Sequence, residues 1–278
     1  MHCVIDFDQA VYACGFASDG EPRSHTYRLL DNKLNQIIQD TKCTSHQIYI
    51  GGENNFRDDL DFSYKANRTA PRPESYEDAR WWLTNHRDAM LVDGMETDDM
   101  VSICLFQDYV NSGGVKKYSK VILSSPDKDL KNTPGWHYNP QKRTTQWITM
   151  SQANRHFWWQ MLWGDPTDNI KGLTYATENM RTLYGLRRNK GFGERSATTI
   201  MRQSSDAEET VHLCYADWGL DQGMSQHETL EYMGLQGQLL WMVRELDNYG
   251  NPVIWEPDIN LFDDCWKALV ETAYREED

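Results

Sequence analysis

The 278-residue chain has no C-x-x-C pair; its six cysteines, Cys3, Cys14, Cys43, Cys104, Cys214 and Cys265, are scattered. That spacing suggests neither a structural zinc nor a disulfide framework, and it fits a reducing compartment such as a cytosol. No apolar run reaches membrane-spanning length, and Met1-His-Cys-Val-Ile-Asp enters a strand without the pattern of a secretory signal. Basic charge is scarce too: 28 Lys and Arg stand against 42 Asp and Glu, a formal charge of −14. That balance argues against a general nucleic-acid coat, which would normally be basic. It does not argue against a protein that gathers acids around a metal ion and holds phosphates with a few basic loops. Mean hydropathy is low, but 11 Trp, 14 Tyr and 8 Phe supply bulky anchors that argue against disorder.

The acids are not spread evenly. Val121-Ile-Leu123 is a short apolar run of the kind a buried parallel strand shows, and Ser124-Ser-Pro-Asp-Lys-Asp129 follows it. In extended backbone Asp127 and Asp129 would face one point beyond the strand, where open α/β sheets bind ligands. Two like charges so placed call for a cation between them. Cys3-Val-Ile-Asp-Phe-Asp8 repeats the pattern, with Asp6 as a ligand and Asp8 as either a second acid or the cap of a helix through Ala17. A helical stripe at Leu30, Leu34, Ile37 and Ile38 and a strand Gln47–Ile50 complete a β-α-β opening, which predicts a parallel sheet.

Further along, Pro71 and Pro73 precede a helix expected over 76–90 with Arg80, Trp81, Trp82, His86 and Arg87. That face is either packing with a wet side or an arch that contacts a single strand by stacking. Glu96-Thr-Asp-Asp-Met100 opens another helix with more acid than capping needs. Trp147-Ile148 is expected to begin the last sheet element. Asp165 and Asp168 sit at a Pro-marked helix start, three apart and so on one face. Residues 174–190 are polar and partly basic. Gly191-Phe-Gly193 then feeds a helix, offering backbone N–H groups to a phosphate, with Arg187, Arg188, Lys190 and Arg195 around it. The remainder is mainly helical.

In order, V-I-D-F-D, N-F-R-D-D-L, Y-K-A-N-R, E-T-D-D-M, S-P-D-K-D-L, G-D-P-T-D-N-I-K-G-L and G-F-G-E-R-S-A resemble the flap endonuclease/5′-exonuclease family, its bacteriophage branch in particular. The resemblance covers nearly the whole chain. It implies a PIN-like α/β parallel-sheet core over 1–150, with an arch segment over about 64–94. Residues 151–278 would form a helical DNA-binding part of the helix–three-turn–helix type. Asp6, Glu96, Asp98, Asp127, Asp129, Asp165 and Asp168 would form a two-metal carboxylate cluster, with Asp99 matching a further acid. Lys65 and Arg68 would contact the scissile phosphate, with Tyr64 beside them as a platform for the terminal base. Arg187, Arg188, Lys190, Gly191, Gly193 and Arg195 would hold duplex DNA.

By the same resemblance the cofactor would be two Mg²⁺, with Mn²⁺ able to substitute, and a K⁺ would sit at the Gly-x-Gly turn. Mg²⁺ prefers hard oxygen donors, and two such ions serve in-line phosphoryl displacement. The substrates would be DNA 5′ ends, nicks or flaps and RNA paired with DNA, in a host cell cytoplasm, with no membrane role. No protein partner is indicated. Alternatives are a PIN-type ribonuclease on single-stranded RNA and an inactive DNA-end-binding protein. The chain departs from the family twice. Gly51-Gly52 stand where an acid is usual, so either Glu53 substitutes or one ligand is missing, and residues 174–190 lengthen a normally short link.

Overall fold

The structure, a computed structural model, describes residues 1–187 and 191–276, with side chains through residue 271. It is mixed α/β. Two compact units divide the chain: Met1–Asp59, Thr69–Ala153 and Met242–Val253 form the first, and Leu60–Arg68, Asn154–Trp241 and Ile254–Asp278 the second. Residues 60–68 and 242–253 thus fall outside a two-part division at 150.

The first unit holds β1 (His2–Asp6), α1 (Asp8–Ala17), α2 (Arg23–Thr41), β2 (Ser45–Asn55), α3 (Phe56–Leu60, which ends in the second unit), α4 (Tyr76–His86), β3 (Met90–Gly94), α5 (Thr97–Asn111), β4 (Val121–Ser124), β5 (Gly135–Asn139) and β6 (Thr144–Ile148). The sheet order is β3-β2-β1-β4-β5-β6, parallel except for the β5–β6 pair. Trp147 and Ile148 end the last strand rather than begin it.

Side chains alternate across the sheet as strand geometry requires. Cys3, Ile5, Ile48, Ile50 and Ile122 pack with α1, α2 and α4, while Val4, Tyr49, Val92 and Leu123 pack with α5. Cover on both faces explains why β1, β2 and β4 read as near-continuous apolar runs.

The helix expected over 76–90 stops at His86. The Leu83 carbonyl accepts from both Arg87 N–H (3.0 Å) and Ala89 N–H (3.1 Å), Asp88 turns left-handed at φ 51°, and Met90–Gly94 pairs with β2 as an edge strand. The aromatic face of α4 is largely spent on packing. Trp82 is buried and stacks on Tyr27 at 5.1 Å, Arg87 lies over Trp82 and pairs with Asp31, and Arg80 donates to the Gly51 carbonyl. Only Trp81 stays well exposed among the large aromatics of α4, so most of this face is core and not a strand-stacking arch.

The second unit contains α6 (Met150–Trp163, its first turn in the first unit), α7 (Glu178–Tyr184), α8 (Glu194–Gln203), α9 (Ala207–Asp221), α10 (Gln226–Leu240) and α11 (Ile259–Glu276). Their core is aromatic-rich, with Phe157, Trp158, Tyr215, Trp218 and Phe262 buried. The supposed link over 174–190 contains α7, capped by the Thr177 side chain accepting from Met180 N–H, with Gly185 left-handed at its end. No helix among the described residues is long and apolar enough to cross a membrane.

Candidate active site

Strands β1, β2 and β3 run outward one way from the middle of the sheet, and β4 and β5 the other. The order reverses between β1 and β4, and the carboxyl ends of strands at such a switch point are where open α/β sheets bind ligands. Asp6 ends β1 there, buried to 7% exposure. Its Oδ2 accepts from the Ser125 hydroxyl at 2.8 Å and its Oδ1 from Asp8 N–H at 3.1 Å. Ser125 Oγ in turn accepts the N–H of Asp127 at 3.1 Å. One serine therefore joins the acid after β1 to the acid after β4. Burial, then the charges of Asp8 and Asp127, push the Asp6 carboxyl up to about 7, against the hydrogen bonds from Ser125 and Asp8 that pull it down. Carboxylates crowded this way are relieved by a proton or by a cation.

The D-K-D segment is not extended. Asp127 Oδ1 accepts Asp129 N–H at 2.8 Å, and Asp129–Asn132 is a 3₁₀ turn. Strand alternation therefore does not place the two acids, and Asp127 spends one oxygen on local turn geometry.

Asp99, expected among the metal ligands, is fully buried and serves the fold. Arg57, equally buried, grips it two-handed, Nη1 to Oδ2 at 2.6 Å and Nη2 to Oδ1 at 2.9 Å. Its carboxylate also accepts Val243 N–H at 2.9 Å and Glu96 N–H at 3.2 Å. Glu96 caps α5 in a reciprocal capping box with Asp99, and its Oε2 lies 3.5 Å from Arg57 Nη1. Asp98 is partly buried in the same first turn. Asp8 opens α1 without capping it; it accepts Gly51 N–H at 3.0 Å and the Thr97 hydroxyl at 2.7 Å.

Gly52 has a steric reason. A Cβ there would lie 2.5 Å from the Val92 carbonyl oxygen of β3 and 2.8 Å from Asp93 Oδ1, so no acid fits as the backbone stands. Glu53 is exposed, and its N–H donates to Asp93 at 3.2 Å.

In the second unit, residues 164–173 form a closed loop and not a helix start. Asp165 and Ile170 exchange backbone hydrogen bonds at 2.9 Å, and the Gln236 side-chain oxygen accepts Lys171 N–H at 3.1 Å and Gly172 N–H at 3.0 Å. Gly164 (φ 74°) and Gly172 (φ 56°) touch backbone to backbone, where a Cβ on Gly164 would sit 2.2 Å from the Ile170 oxygen. Asp165 is buried, with Oδ1 accepting Thr167 N–H at 2.7 Å.

Segment 60–68 is pinned on this loop. Lys65 N–H donates to the Asp168 carbonyl at 3.0 Å, Asn67 to the Pro166 carbonyl at 2.8 Å, and Asn169 to the Ser63 carbonyl at 2.8 Å. The Asp168 carboxylate meets Lys65 Nζ at 3.6 Å, Arg68 in a direct hydrogen bond, and Tyr64 OH at 3.4 Å. Two cations thus meet this one carboxylate, and a cationic pair is the kind of group that receives a phosphate oxygen. Tyr64 is 6% exposed, with its ring in the helical core, so it has little face to offer a base.

Gly191 has φ 103°, Phe192 N–H donates to Thr174 O at 3.1 Å, and Gly193 precedes α8. Arg187 and Arg195 are exposed; Arg188 and Lys190 lie outside the described residues. The parts missed from sequence are Ser125, Arg57 and Gln236, each joined to a partner more than 40 residues away.

Among the described residues no three His, Cys, Asp or Glu side chains stand close enough to hold a metal ion. The donors at the switch point are nonetheless the right kind: Mg²⁺ keeps several waters and binds through one or two carboxylates, which Asp6 and Asp127 supply, with phosphate oxygens coming from a substrate.

No protein-family model and no curated protein sequence matches the chain. Among solved structures, a flap endonuclease of bacteriophage T5, in a pseudo-enzyme–product complex with DNA and metal ions, is 12% identical, with 99% of this chain and 100% of that chain covered and a TM-score of 0.49. The T5 5′-exonuclease with bound zinc is 13% identical, with 98% and 99% covered and a TM-score of 0.47. Identities this low leave activity to be argued from the residues.

Proposed function

We propose that the protein is a divalent-metal-dependent nuclease acting from 5′ ends on DNA, at ends, nicks or flaps, with RNA paired to DNA as a further substrate. The observation that carries the reading is buried Asp6 tied through Ser125 to Asp127 across the switch point of the sheet. Nothing about ordinary capping requires two strand-end acids to share one hydroxyl. The order of motifs along the chain supports the same reading.

Asp6 and Asp127 would hold Mg²⁺, with Asp129, Asp98 and Glu96 as neighbours on the same unit. When bound, such an ion lowers the pKa of a coordinated water and neutralises charge on a phosphoryl oxygen. Ser125 keeps the Asp6 carboxylate oriented and fixes the start of the loop that carries Asp127. Lys65 and Arg68, which both meet the Asp168 carboxylate, would exchange it for phosphate oxygens, and Arg187 and Arg195 would add sequence-independent contacts to the strand backbone. Asp165 acts on the shape of its loop. Asp99 is left out of the ligand set, because its oxygens already serve Arg57, Val243 and Glu96.

Labelled 5′-flap DNA, nicked duplex and single-stranded RNA, each with and without Mg²⁺, test the reading. Release of label from the DNA substrates only with Mg²⁺ is expected, and Asp127→Asn should abolish it with folding kept. Lys65→Ala should lower kcat by roughly 10²–10³, as loss of one preorganised electrostatic group does. Cleavage of single-stranded RNA alone would point to a ribonuclease, and DNA-end binding without turnover to an inactive end-binding protein.

A further inference from the structure

The first unit carries a concave feature that shares Asp127 with the proposed metal site but has basic groups the proposed chemistry does not use. It is a small polar cavity of about 50 Å³ at the carboxyl ends of β4 and β5, and its lining includes Lys128, Lys131, Lys142, His137 and Asp127. In a chain of net charge −14, three lysines line one small cavity; Lys128 pairs with Asp129 at 4.0 Å, and Lys131 and Lys142 carry the local positive charge. Many described cations are paired with acids, among them Arg57, Lys65, Arg68, Arg87 and Arg143. Neither Lys131 nor Lys142 makes an ion pair among the described residues.

The cavity is built rather than incidental. The hairpin that presents Lys142 is fixed from both sides: Asn139 Oδ1 accepts Gln141 N–H at 3.0 Å and Lys142 N–H at 2.9 Å, and Arg143 is clamped to Asp40. Lys131 is set by the 3₁₀ turn, its N–H donating to the Lys128 carbonyl at 3.2 Å. His137 is 94% buried (6% exposed), on β5. A carbonyl can only accept, so the 2.8 Å contact between His137 Nε2 and Thr133 O fixes the proton on Nε2. Burial, together with the charge of Lys131, holds the ring neutral by lowering its pKa to about 4. Nδ1 is therefore a lone-pair acceptor, with no hydrogen bond among the described residues, on a side chain that lines a cationic cavity.

An acceptor among lysines selects its ligand. A fully ionised oxyanion would set lone pair against lone pair at Nδ1. An anion that keeps one O–H satisfies both, with its charged oxygens on the lysines and its hydroxyl on Nδ1. Phosphate monoesters, with a second pKa near 6, keep that proton on an appreciable fraction at neutral pH, whereas sulfate and phosphodiesters have none to give. We propose that this cavity is a binding site for a phosphate monoester group, held by Lys131 and Lys142 with Lys128 at the rim and read by His137 Nδ1. Asp127 on the same wall opposes the bare dianion and favours the singly protonated monoanion. The site stands whether or not the nuclease reading does, because it concerns binding and not cleavage.

The test is calorimetric and ³¹P-NMR titration of the full chain in EDTA at pH 7 and constant ionic strength. The probes are inorganic phosphate, thymidine 5′-monophosphate, sulfate and dimethyl phosphate, followed by an oligonucleotide with and without a 5′-phosphate. Phosphate and the monophosphate should bind about tenfold or more tighter than sulfate or the diester, the worth of one hydrogen bond to a charged partner. Lys131→Ala with Lys142→Ala, both exposed and so harmless to folding, should weaken that binding on the order of tenfold or more. His137→Gln should bring phosphate down to sulfate. Preference for the 5′-phosphorylated oligonucleotide would assign the ligand to a strand end, and preference for the mononucleotide to a free nucleotide. Equal affinity for phosphate and sulfate, phosphate binding unmoved in the double lysine variant, or no saturable binding of any probe would overturn the proposal.

Discussion

Asp99→Ala separates a ligand of metal from a keystone of the fold. The substitution leaves the Arg57 guanidinium buried, with Glu96 at 3.5 Å as a remaining acidic neighbour, and removes the acceptor for the Val243 N–H. Stranding one member of a buried ion pair costs about 3–5 kcal/mol, and an orphaned buried N–H about 1–3 kcal/mol. The two losses share one carboxylate and overlap, so roughly 4 kcal/mol is the expected total. That is a large part of the 5–15 kcal/mol that typically holds a domain together. Urea unfolding followed by tryptophan fluorescence, with 11 Trp as reporters, would show it as a fall in midpoint. Replacing both partners, Arg57→Met with Asp99→Leu, should recover much of the loss, because an apolar pair of similar volume strands no charge. An unfolding free energy within about 0.5 kcal/mol of the parent, together with a lost response to Mg²⁺, would refute the structural role and return Asp99 to the metal.

Placing an acid after β2 by Gly52→Asp should destabilise the protein by about 1–3 kcal/mol through overpacking against the Val92 carbonyl, with no gain in apparent Mg²⁺ affinity; a fully stable variant that works at lower Mg²⁺ would contradict this. His137, held near 4 when folded against an ordinary imidazole value of 6.5, should make stability fall as pH drops from about 6.5 towards 4. In that window the unfolded chain takes up a proton that the folded one refuses. The loss can reach roughly 3 kcal/mol at the low end. Asp6, raised to about 7, leans the opposite way in the same window, so the His137 share is the difference between parent and His137→Gln urea midpoints across the pH series. Parallel curves for the two proteins would show that the ring is protonated in the fold.

What could be read in advance follows burial on two sides. β1, β2 and β4 sit inside the sheet and announce themselves as apolar runs followed by acid, glycine or serine, and the α2 stripe at Leu30, Leu34 and Ile37 is buried as its spacing predicts. β5 escaped because its inward positions are His137 and Tyr138, not aliphatic residues. Edge strand β3 escaped because Met90 and Leu91 face solvent and only Val92 is buried, so Met90 read as the end of the preceding helix.

The errors at the site descend from those at the edges. Gly52 looked like a missing ligand only while β3 was invisible; once Val92 lies alongside, its carbonyl oxygen leaves no room for any side chain, and the glycine belongs to sheet packing. The same holds for Asp98 and Asp99. They are neighbours in sequence and equivalent in composition, yet they stand about 100° apart around α5. That rotation turns Asp99 towards Arg57, 42 residues earlier, and Val243, 144 residues later. Residue type announces that a carboxylate is present. Which carboxylates are available to a metal is decided by long-range partners such as Arg57, Ser125 and Lys65, and these carry no periodicity or spacing for a sequence to display.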